Sequence, residues 1–245
     1  ISFMSNEDAA RYLSYDLEHT NKVSKYYKVT ETTNGTITTE VSKEEATEAA
    51  ENNISPIATY HTTSYKNIQI SSTPIATNKY LVDITTDWLI TPRVKSYDVI
   101  AMRVDDAIIK SGSQNGIQMY NNSSTSGSVD YSYQGTNMVL SSNGFGISMN
   151  LVDAASGFTC QIEAVVTATT KWATVYGSYQ HAMTAVTLAK SKSYTISHNG
   201  YGKVINFATA VQNDYDNMQG VSIELGYTAS VSYTHLRAHE TGRNL

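Results

Sequence analysis

The chain has 245 residues, with 17 basic and 22 acidic side chains and a formal net charge of −5. A mildly acidic chain without a basic cluster lacks the electrostatic surface that binds DNA or RNA, and no apolar run approaches the roughly 18 residues needed to span a bilayer. Tyrosine outnumbers phenylalanine by 18 to 4. Tyrosine and the abundant threonine suit half-buried pleated surfaces, so the composition favours β structure.

Residues 1–57 carry the helical signals. Ser5 is an N-cap followed by acidic residues, and an apolar stripe then predicts a helix that ends near Thr20. A second capping box at Ser42 predicts a short helix that ends near Asn52. The segment is too small to form a hydrophobic core that is stable on its own, so we expect it to pack on the following domain or to form a loosely ordered leader.

A β-hairpin is expected between these two helices. Asn34-Gly35 is the strongest short hairpin signal, and it joins apolar and threonine-rich runs at 26–33 and 36–41. Four apolar side chains are expected to share one face of the hairpin: Tyr27, Val29, Ile37 and Val41.

Residues 58–230 are typical of a run of strands, and the clearest alternation of apolar and polar side chains, at 80–90 and 160–169, has the period of two of half-buried strands. The strands are predicted at 59–70, 80–90, 97–105, 115–121, 129–141, 160–168, 172–181, 183–189, 194–198, 203–208 and 220–227. Turn residues separate them, and no helix-length pattern intervenes. The chain is therefore predicted to be all-β with a small N-terminal α/β-hairpin segment, as an antiparallel β-sandwich or alternatively a β-barrel-like fold.

Residues 231–245 resemble a translated sequencing adapter of the transposase-tagmentation type followed by a barcode. The string from Val231 to Thr241 follows the adapter codon by codon, and Gly242 to Leu245 fit the barcode and the constant segment after it. We therefore treat residues 231–245 as a non-native tail and the chain as a metagenomic fragment. His235 and His239, at the spacing of two zinc ligands on one helix face, belong to this tail.

Calcium is the metal that the remaining sequence could hold. Asp214 and Asp216 lie in an oxygen-rich run flanked by asparagines, and oxygen ligands are those that calcium uses. The run lacks the glycine and distal glutamate of an EF-hand loop, and Asp and Asn are also common in turns. No other cofactor is expected.

No catalytic constellation emerges from the sequence. Cys160 could be a nucleophile with His181 or His198 as base, but it occupies the apolar side of a regular alternation, where cysteine behaves as a small core residue. We expect Asp105-Asp106 to be the end of a hairpin, because the sequence offers no further carboxylate that could form an acid–base pair with them across a cleft. We therefore expect a protein that is not an enzyme.

Several tyrosines stand among Asn, Gln, Ser and Gly. Tyrosine has an apolar body and a polar tip, which suits surfaces that contact sugars or partner proteins. The alternative is that tyrosine fills strand faces in place of phenylalanine. Four of these residues are the candidates for ligand binding: Tyr131, Tyr133, Tyr176 and Tyr179.

Three motifs resemble segments of uncharacterised exported proteins of gut-type Gram-positive bacteria. They are Trp88 with the run 91–100, the run 143–146, and the run 176–181, and the resemblance covers residues 58–225. It implies secretion or surface association and a β-rich domain, and it transfers no catalytic residue. A single cysteine, which excludes an internal disulfide, fits an exported protein of a cell that uses few disulfides.

The sequence thus predicts a secreted or cell-surface bacterial protein of binding or structural type, with a glycan or a cell-surface protein as its partner. Its signal peptide would lie upstream of Ile1. The first alternative is a membrane-active, pore-forming β protein, because 119–141 and 160–189 alternate as barrel strands do. A glycan-processing enzyme is the second alternative.

Overall fold

A computed structural model of the chain describes residues 20–32, 35–52, 62–121, 126–197 and 203–229. The helix predicted from Ser5 and the adapter-like tail lie outside the described residues. So do part of the hairpin turn at Asn34 and the possible base His198.

The described residues form fifteen strands, two α-helices and one turn of 3-10 helix, Gln212–Asp214. The strands are β1 (Asn21–Thr32), β2 (Gly35–Val41), β3 (Thr62–Ala76), β4 (Lys79–Ile90), β5 (Tyr97–Asp105), β6 (Ala107–Ile109), β7 (Asn115–Asn121), β8 (Ser126–Tyr131), β9 (Met138–Ser141), β10 (Gly144–Asn150), β11 (Gly157–Ala168), β12 (Thr174–Gln180), β13 (Tyr194–Ile196), β14 (Ile205–Phe207) and β15 (Val221–Glu224). The helices are α1 (Lys43–Glu51) and the single turn α2 (Leu188–Ser191).

Two antiparallel sheets pack face to face. The first has the strand order β2-β1-β3-β4-β11-β7-β8, with β6 also paired to β11, and the second has the order β15-β12-β5-β10-β9. Strands make up 59% of the structure, and the sheets do not close into a barrel. The predicted antiparallel sandwich is confirmed, and the barrel-like alternative is wrong.

The main core lies between the two sheets. Its members alternate along each strand, so that every second side chain points inward. The largest buried side chains from the first sheet are Ile68, Ile70, Ile84 and Ile162, and those from the second sheet are Ile100, Met102, Phe145, Ile147, Met149 and Tyr179.

The C-terminal part of the chain forms a third layer on the outer face of the second sheet. Val99 and Ala101 of β5 point outward from the sandwich, and a second cluster covers them with Ala182, Val186, Tyr194, Ile196, Val204, Ile205, Val211 and Tyr215. The segment 214–216 runs antiparallel to 181–183, through hydrogen bonds from Met183 N to Asp214 O and from Asp216 N to His181 O. This layer carries Asp216 to the interior of the protein.

The N-terminal hairpin belongs to the first sheet. β1 pairs with β3 along most of its length, so the sheet continues across the predicted boundary between residues 57 and 58. Tyr27 and Val29 are buried, but Ile37 is 61% exposed. The register places Thr38 opposite Val29 and Glu40 opposite Tyr27. The prediction that Ile37 and Val41 share a face with Tyr27 is therefore wrong by one residue, since neighbouring strand positions point to opposite faces.

Helix α1 covers the outer face of the first sheet. Its N-cap is Ser42, whose hydroxyl accepts a hydrogen bond from Glu45 N, so the predicted capping box position is confirmed. Ala46 and Ala49 of the helix pack on Tyr65 of β3.

Most of the predicted strands are present, with four differences, of which the first is the short strand β6, which was not predicted. The run 129–141 contains two strands, β8 and β9, separated by a turn in which Gln134 has φ 59°. The run 183–189 is no strand, and its end enters α2 with Thr187 as the N-cap. β10 was missed because two of its first three residues are Gly144 and Gly146, and glycine is more typical of turns than of strands.

Candidate functional site: a buried polar cluster between the sheets

Six side chains in the main core form a polar cluster, which we call the interior cluster: Lys66, Trp88, Asp98, Tyr179, His181 and Asp216. All six are buried. They come from both sheets and from the C-terminal layer, and they lie far apart in the sequence. Buried ionisable groups are rare in globular proteins unless they are paired, so this cluster is the unusual chemical feature of the fold.

Lys66 and Trp88 enter the cluster from the first sheet. Lys66 points inward from β3, and so do Ile68 and Ile70 at the next two alternate positions. A shift of register after Tyr65 places Lys66 directly opposite Trp88 of β4. Residues opposite each other on neighbouring strands share a face, so the ammonium group and the indole both point between the sheets.

Asp98 and Tyr179 enter from the second sheet, on β5 and β12. The Tyr179 hydroxyl donates to Asp98 Oδ2 and accepts a hydrogen bond of 3.0 Å from Trp88 Nε1. A polar chain thus crosses the core from one sheet to the other. Burial, followed by the negative charge of Asp98, raises the pKa of Tyr179 well above its usual value.

His181 follows β12 directly and pairs with Asp98. Its Nδ1 lies 2.9 Å from both Asp98 carboxylate oxygens, and Ala182 N donates to Oδ1 at 2.8 Å. The His181 ring also packs edge-on against Trp88, with 4.8 Å between the ring centroids. His181 Nε2 is buried and has no hydrogen-bond partner within the described part of the chain.

Asp216 pairs with Lys66. Asp216 Oδ2 contacts Lys66 Nζ directly, and Asp216 Oδ1 accepts a 2.9 Å hydrogen bond from the main-chain N–H of His181. Gln180 Nε2 donates to Asp216 O at 2.7 Å. The Lys66 ammonium lies 5.0 Å from the ring centroids of both Trp88 and Tyr179, within the range of a cation–π interaction.

Sequence reasoning identified only part of this cluster. Asp216 was chosen as a calcium candidate, but its two oxygens bind Lys66 and His181 in the interior. Asp214 instead accepts from Thr184 at 3.2 Å and lies 3.8 Å from Lys190. The two carboxylates have separate partners, and the described residues contain no group of three or more potential metal ligands.

Lys66 was missed although its position carried a signal. A lysine at an inward position of an apolar alternation requires a buried counter-charge, and the run of Lys66, Ile68 and Ile70 has this form. Asp98 had no such signal, because β5 is covered on both faces and its sequence does not alternate.

The four tyrosines proposed for ligand binding do not form one surface. Tyr179 is fully buried, so its prediction as a surface residue is wrong. Tyr176 packs against the C-terminal layer, whereas Tyr131 and Tyr133 pack against the main core. Tyr131 is half-buried, and burial raises its pKa.

Within the described residues, a concavity and an exposed tryptophan are accessible to a ligand. A shallow concavity is lined by Asp130, Tyr131, Ser132, Gly135, Thr136, Asn137 and Met138. Trp172, in the turn between β11 and β12, is 69% exposed, with the Lys171 ammonium 4.7 Å from its ring centroid. The sequence analysis did not single out Trp172.

Cys160 lies in the main core as predicted, with its side chain fully buried. Burial raises the pKa of its thiol, and the charge of Asp98 acts in the same direction. Asp105 ends β5 and pairs with Arg103 at 2.7 Å, and Asp106 forms the following turn with φ 52°. β5 and β6 lie in different sheets, so this turn connects the two sheets, and the prediction of a hairpin end at Asp105-Asp106 is wrong.

No described helix combines the length and the apolar character that crossing a membrane requires.

The protein is an antiparallel β-sandwich with a third, C-terminal layer and a buried polar cluster that joins all three layers.

No family model and no curated protein matches the chain. Among solved structures, the pilus backbone RrgB of Streptococcus pneumoniae aligns at 13% identity and a TM-score of 0.28, over 43% of this chain and 25% of that one. The enzymatically active domain of tailspike protein 4 from bacteriophage CBA120 aligns at 7% identity and a TM-score of 0.25, over 67% of this chain and 20% of that one. TmCBM61, solved with β-1,4-galactotriose, aligns at 6% identity and a TM-score of 0.22, over 63% of this chain and 80% of that one. The chain thus spans a quarter or less of the first two proteins, and TM-scores this low carry no argument about its function.

Proposed function

We propose that this chain is a structural or binding β-sandwich protein without catalysis, secreted by a bacterium or displayed on its surface. The observation that carries the proposal is the enclosure of the interior cluster. Lys66, Asp98 and His181 have no exposed surface, so an external substrate has no access to the ionisable groups of this cluster. Their hydrogen bonds and ion pairs connect the layers of the protein instead.

The surface composition supports an extracellular location. Charged residues are 16% of the chain, against roughly 25% in typical soluble domains, and polar Ser, Thr, Asn and Tyr take their place. The location is tested in cells that carry the complete gene, by digesting intact cells with a protease. We expect the chain to be cleaved on intact cells or recovered from the medium, and protection until lysis would contradict the proposal.

A binding role is favoured by the exposed Trp172 and by the concavity at Tyr131. Aromatic side chains with accessible faces suit sugar rings and partner proteins. A glycan array with the whole chain tests this role, repeated with Trp172→Ala, Tyr131→Ala and Tyr133→Ala. A signal that disappears with one of these substitutions assigns the surface, and a chain that binds no glycan leaves the structural role as the proposal.

The pore-forming alternative has a separate test. We expect no dye release from liposomes of neutral or anionic lipid after addition of the chain. Release that depends on the concentration of the protein would favour the pore-forming alternative over the structural one.

A further inference from the structure

Lys66 and Asp216 are held in direct contact without access to water. Both side chains have 0% exposure, and 150 residues of chain separate them. Removing two charges from water is energetically unfavourable, and the attraction within the pair offsets this cost only in part. A reaction that removed both charges while keeping the groups together would relieve this cost.

The surroundings of the pair fix an amine beside a carboxyl carbon. The rings of Trp88 and Tyr179 flank Lys66 Nζ at 5.0 Å and limit its movement. On the other side, the main-chain N–H of His181 holds Asp216 Oδ1 at 2.9 Å. A nucleophile, an electrophilic carbon and a hydrogen-bond donor to the carbonyl oxygen are therefore in place together.

We propose that Lys66 and Asp216 condense to an amide, which links β3 covalently to the C-terminal layer. A proton first passes from Nζ to Oδ2 along their contact, which gives an amine and a carboxylic acid. Nζ then attacks Cγ of Asp216, and the negative charge that develops on Oδ1 is stabilised by the N–H of His181, as in an oxyanion hole.

The step balances without a further reactant. The ion pair contains all the atoms of the amide and of one water molecule. The Nζ–Cγ bond forms, the Cγ–Oδ2 bond breaks, and Oδ2 leaves with two of the three ammonium hydrogens. No electrons are gained or lost, so neither an oxidant nor a cofactor is needed.

Position and burial favour the forward reaction. Well-oriented groups in one molecule react with effective molarities of about 10⁵–10⁸ M, which offsets the tendency of amides to hydrolyse in dilute solution. Exclusion of water from the core removes the reactant for the reverse step. The product is neutral, so it also removes the cost of two buried charges.

Asp98 acts as a positioning residue in this reaction. It accepts from His181 Nδ1 and from Ala182 N, and so holds the strand end that presents the N–H of His181 to Asp216. The cross-link goes beyond the proposed structural role and does not depend on it, because it concerns only the interior of the chain.

The mass of the full chain tests the cross-link. We expect the purified, folded protein to weigh one water molecule less than its sequence requires, and to yield a tryptic fragment in which the Lys66 and Asp216 peptides are joined. Lys66→Met, which retains the length of the side chain without its amine, should have the full mass. Lys79→Met, at an exposed position of β4, should still lose water.

Asp216→Asn gives an independent check. An asparagine side chain would condense with Lys66 by losing ammonia instead of water, and the joined fragment should then be identical in mass to that of the wild type. Asp98→Ala should slow the appearance of this fragment relative to the recovery of folded structure by circular dichroism, in a refolding time course followed by mass spectrometry, and Asp98→Glu, which retains the carboxylate, should restore part of the rate.

Two results would overturn the proposal. One is a wild-type chain that is folded by circular dichroism, has its full mass and yields no joined fragment. The other is a loss of water that persists in Lys66→Met, because the water would then come from another site such as a cyclised Asp-containing loop. The joined fragment is decisive even where Lys66→Met fails to fold.

Discussion

Asp98 accepts hydrogen bonds from Tyr179, His181 and Ala182 while it is completely buried. Asp98→Ala would leave these three buried donors without an acceptor in the core. Each buried donor left unsatisfied is costly, so we expect the free energy of unfolding to fall by about 3–5 kcal/mol, measured by urea denaturation. Asp153→Ala, at an exposed position, is the matched control and should change it by less than about 0.5 kcal/mol. Equal effects of the two substitutions would show that the Asp98 contacts contribute little.

The Cys160 thiol is shielded from solvent and from reagents. Its pKa is raised because burial disfavours the thiolate, and the thiolate is the reactive form. We expect no reaction with a chromogenic disulfide reagent at about pH 8 in the folded protein, and one reactive thiol per chain after unfolding in guanidinium. Labelling of the folded protein as fast as that of free cysteine would contradict the burial of this residue.

Close packing between the sheets depends on a glycine in β12. A Cβ at Gly177 would lie 2.7 Å from Ile84 Cδ1 and 3.0 Å from Ile84 Cγ1, in the centre of the core. We expect Gly177→Ala to reduce the free energy of unfolding by about 1–3 kcal/mol, as overpacked cores do.

The control for this substitution is Gly157→Ala on β11, where the nearest atom would lie at 3.8 Å, an ordinary contact. Both are measured by urea denaturation under the same conditions. If Gly177→Ala were no more destabilising than Gly157→Ala, this result would contradict the close approach of the two sheets at Gly177.

Strands with an unbroken run of β-forming side chains were predicted, including β5, which is covered on both faces, whereas β10 was missed because it begins with two glycines in three residues. β4 and β11 alternate between buried and half-buried positions along most of their length, and both were predicted nearly to their ends. β10 is buried at six consecutive positions because the main core covers one face and the C-terminal layer lies behind its sheet. Phe145, Ile147 and Met149 belong to the main core, whereas Gly144 and Gly146 leave room for Ile196 and Tyr194 of the third layer. Glycines are typical of turns in a sequence, and the packing role of these two is seen only once the third layer is known.

The whole molecule should become less stable in alkali. Burial raises the pKa of Tyr27, Tyr194 and Tyr215, so these side chains stay protonated in the folded protein while those of the unfolded chain ionise near pH 10. The unfolded state then binds fewer protons, and the stability present below about pH 10 is lost as the pH rises above it. We expect the urea midpoint to fall between about pH 8 and about pH 11.

Tyr27→Phe isolates the contribution of one tyrosine. The Tyr27 hydroxyl is buried and has no hydrogen-bond partner among the residues the structure describes. Loss of this hydroxyl should therefore leave the variant as stable as the wild type at about pH 8. The variant should then lose less stability than the wild type at about pH 11, since one ionising group is gone. A midpoint that does not change with pH in the wild type would contradict the burial of these tyrosines.

The sequence by itself determined the class of the fold, because period-two alternation and turn residues are local properties that each strand carries independently. It also determined the position of the hairpin, the N-cap of α1 and the core position of Cys160. The interior cluster was decided only by the tertiary structure. Lys66 and Asp216 are 150 residues apart, and they meet because β1 and β3 extend the first sheet while the segment 214–216 returns along 181–183. Local patterns do not encode which distant buried charges become partners, since that pairing follows from the topology that stacks the three layers.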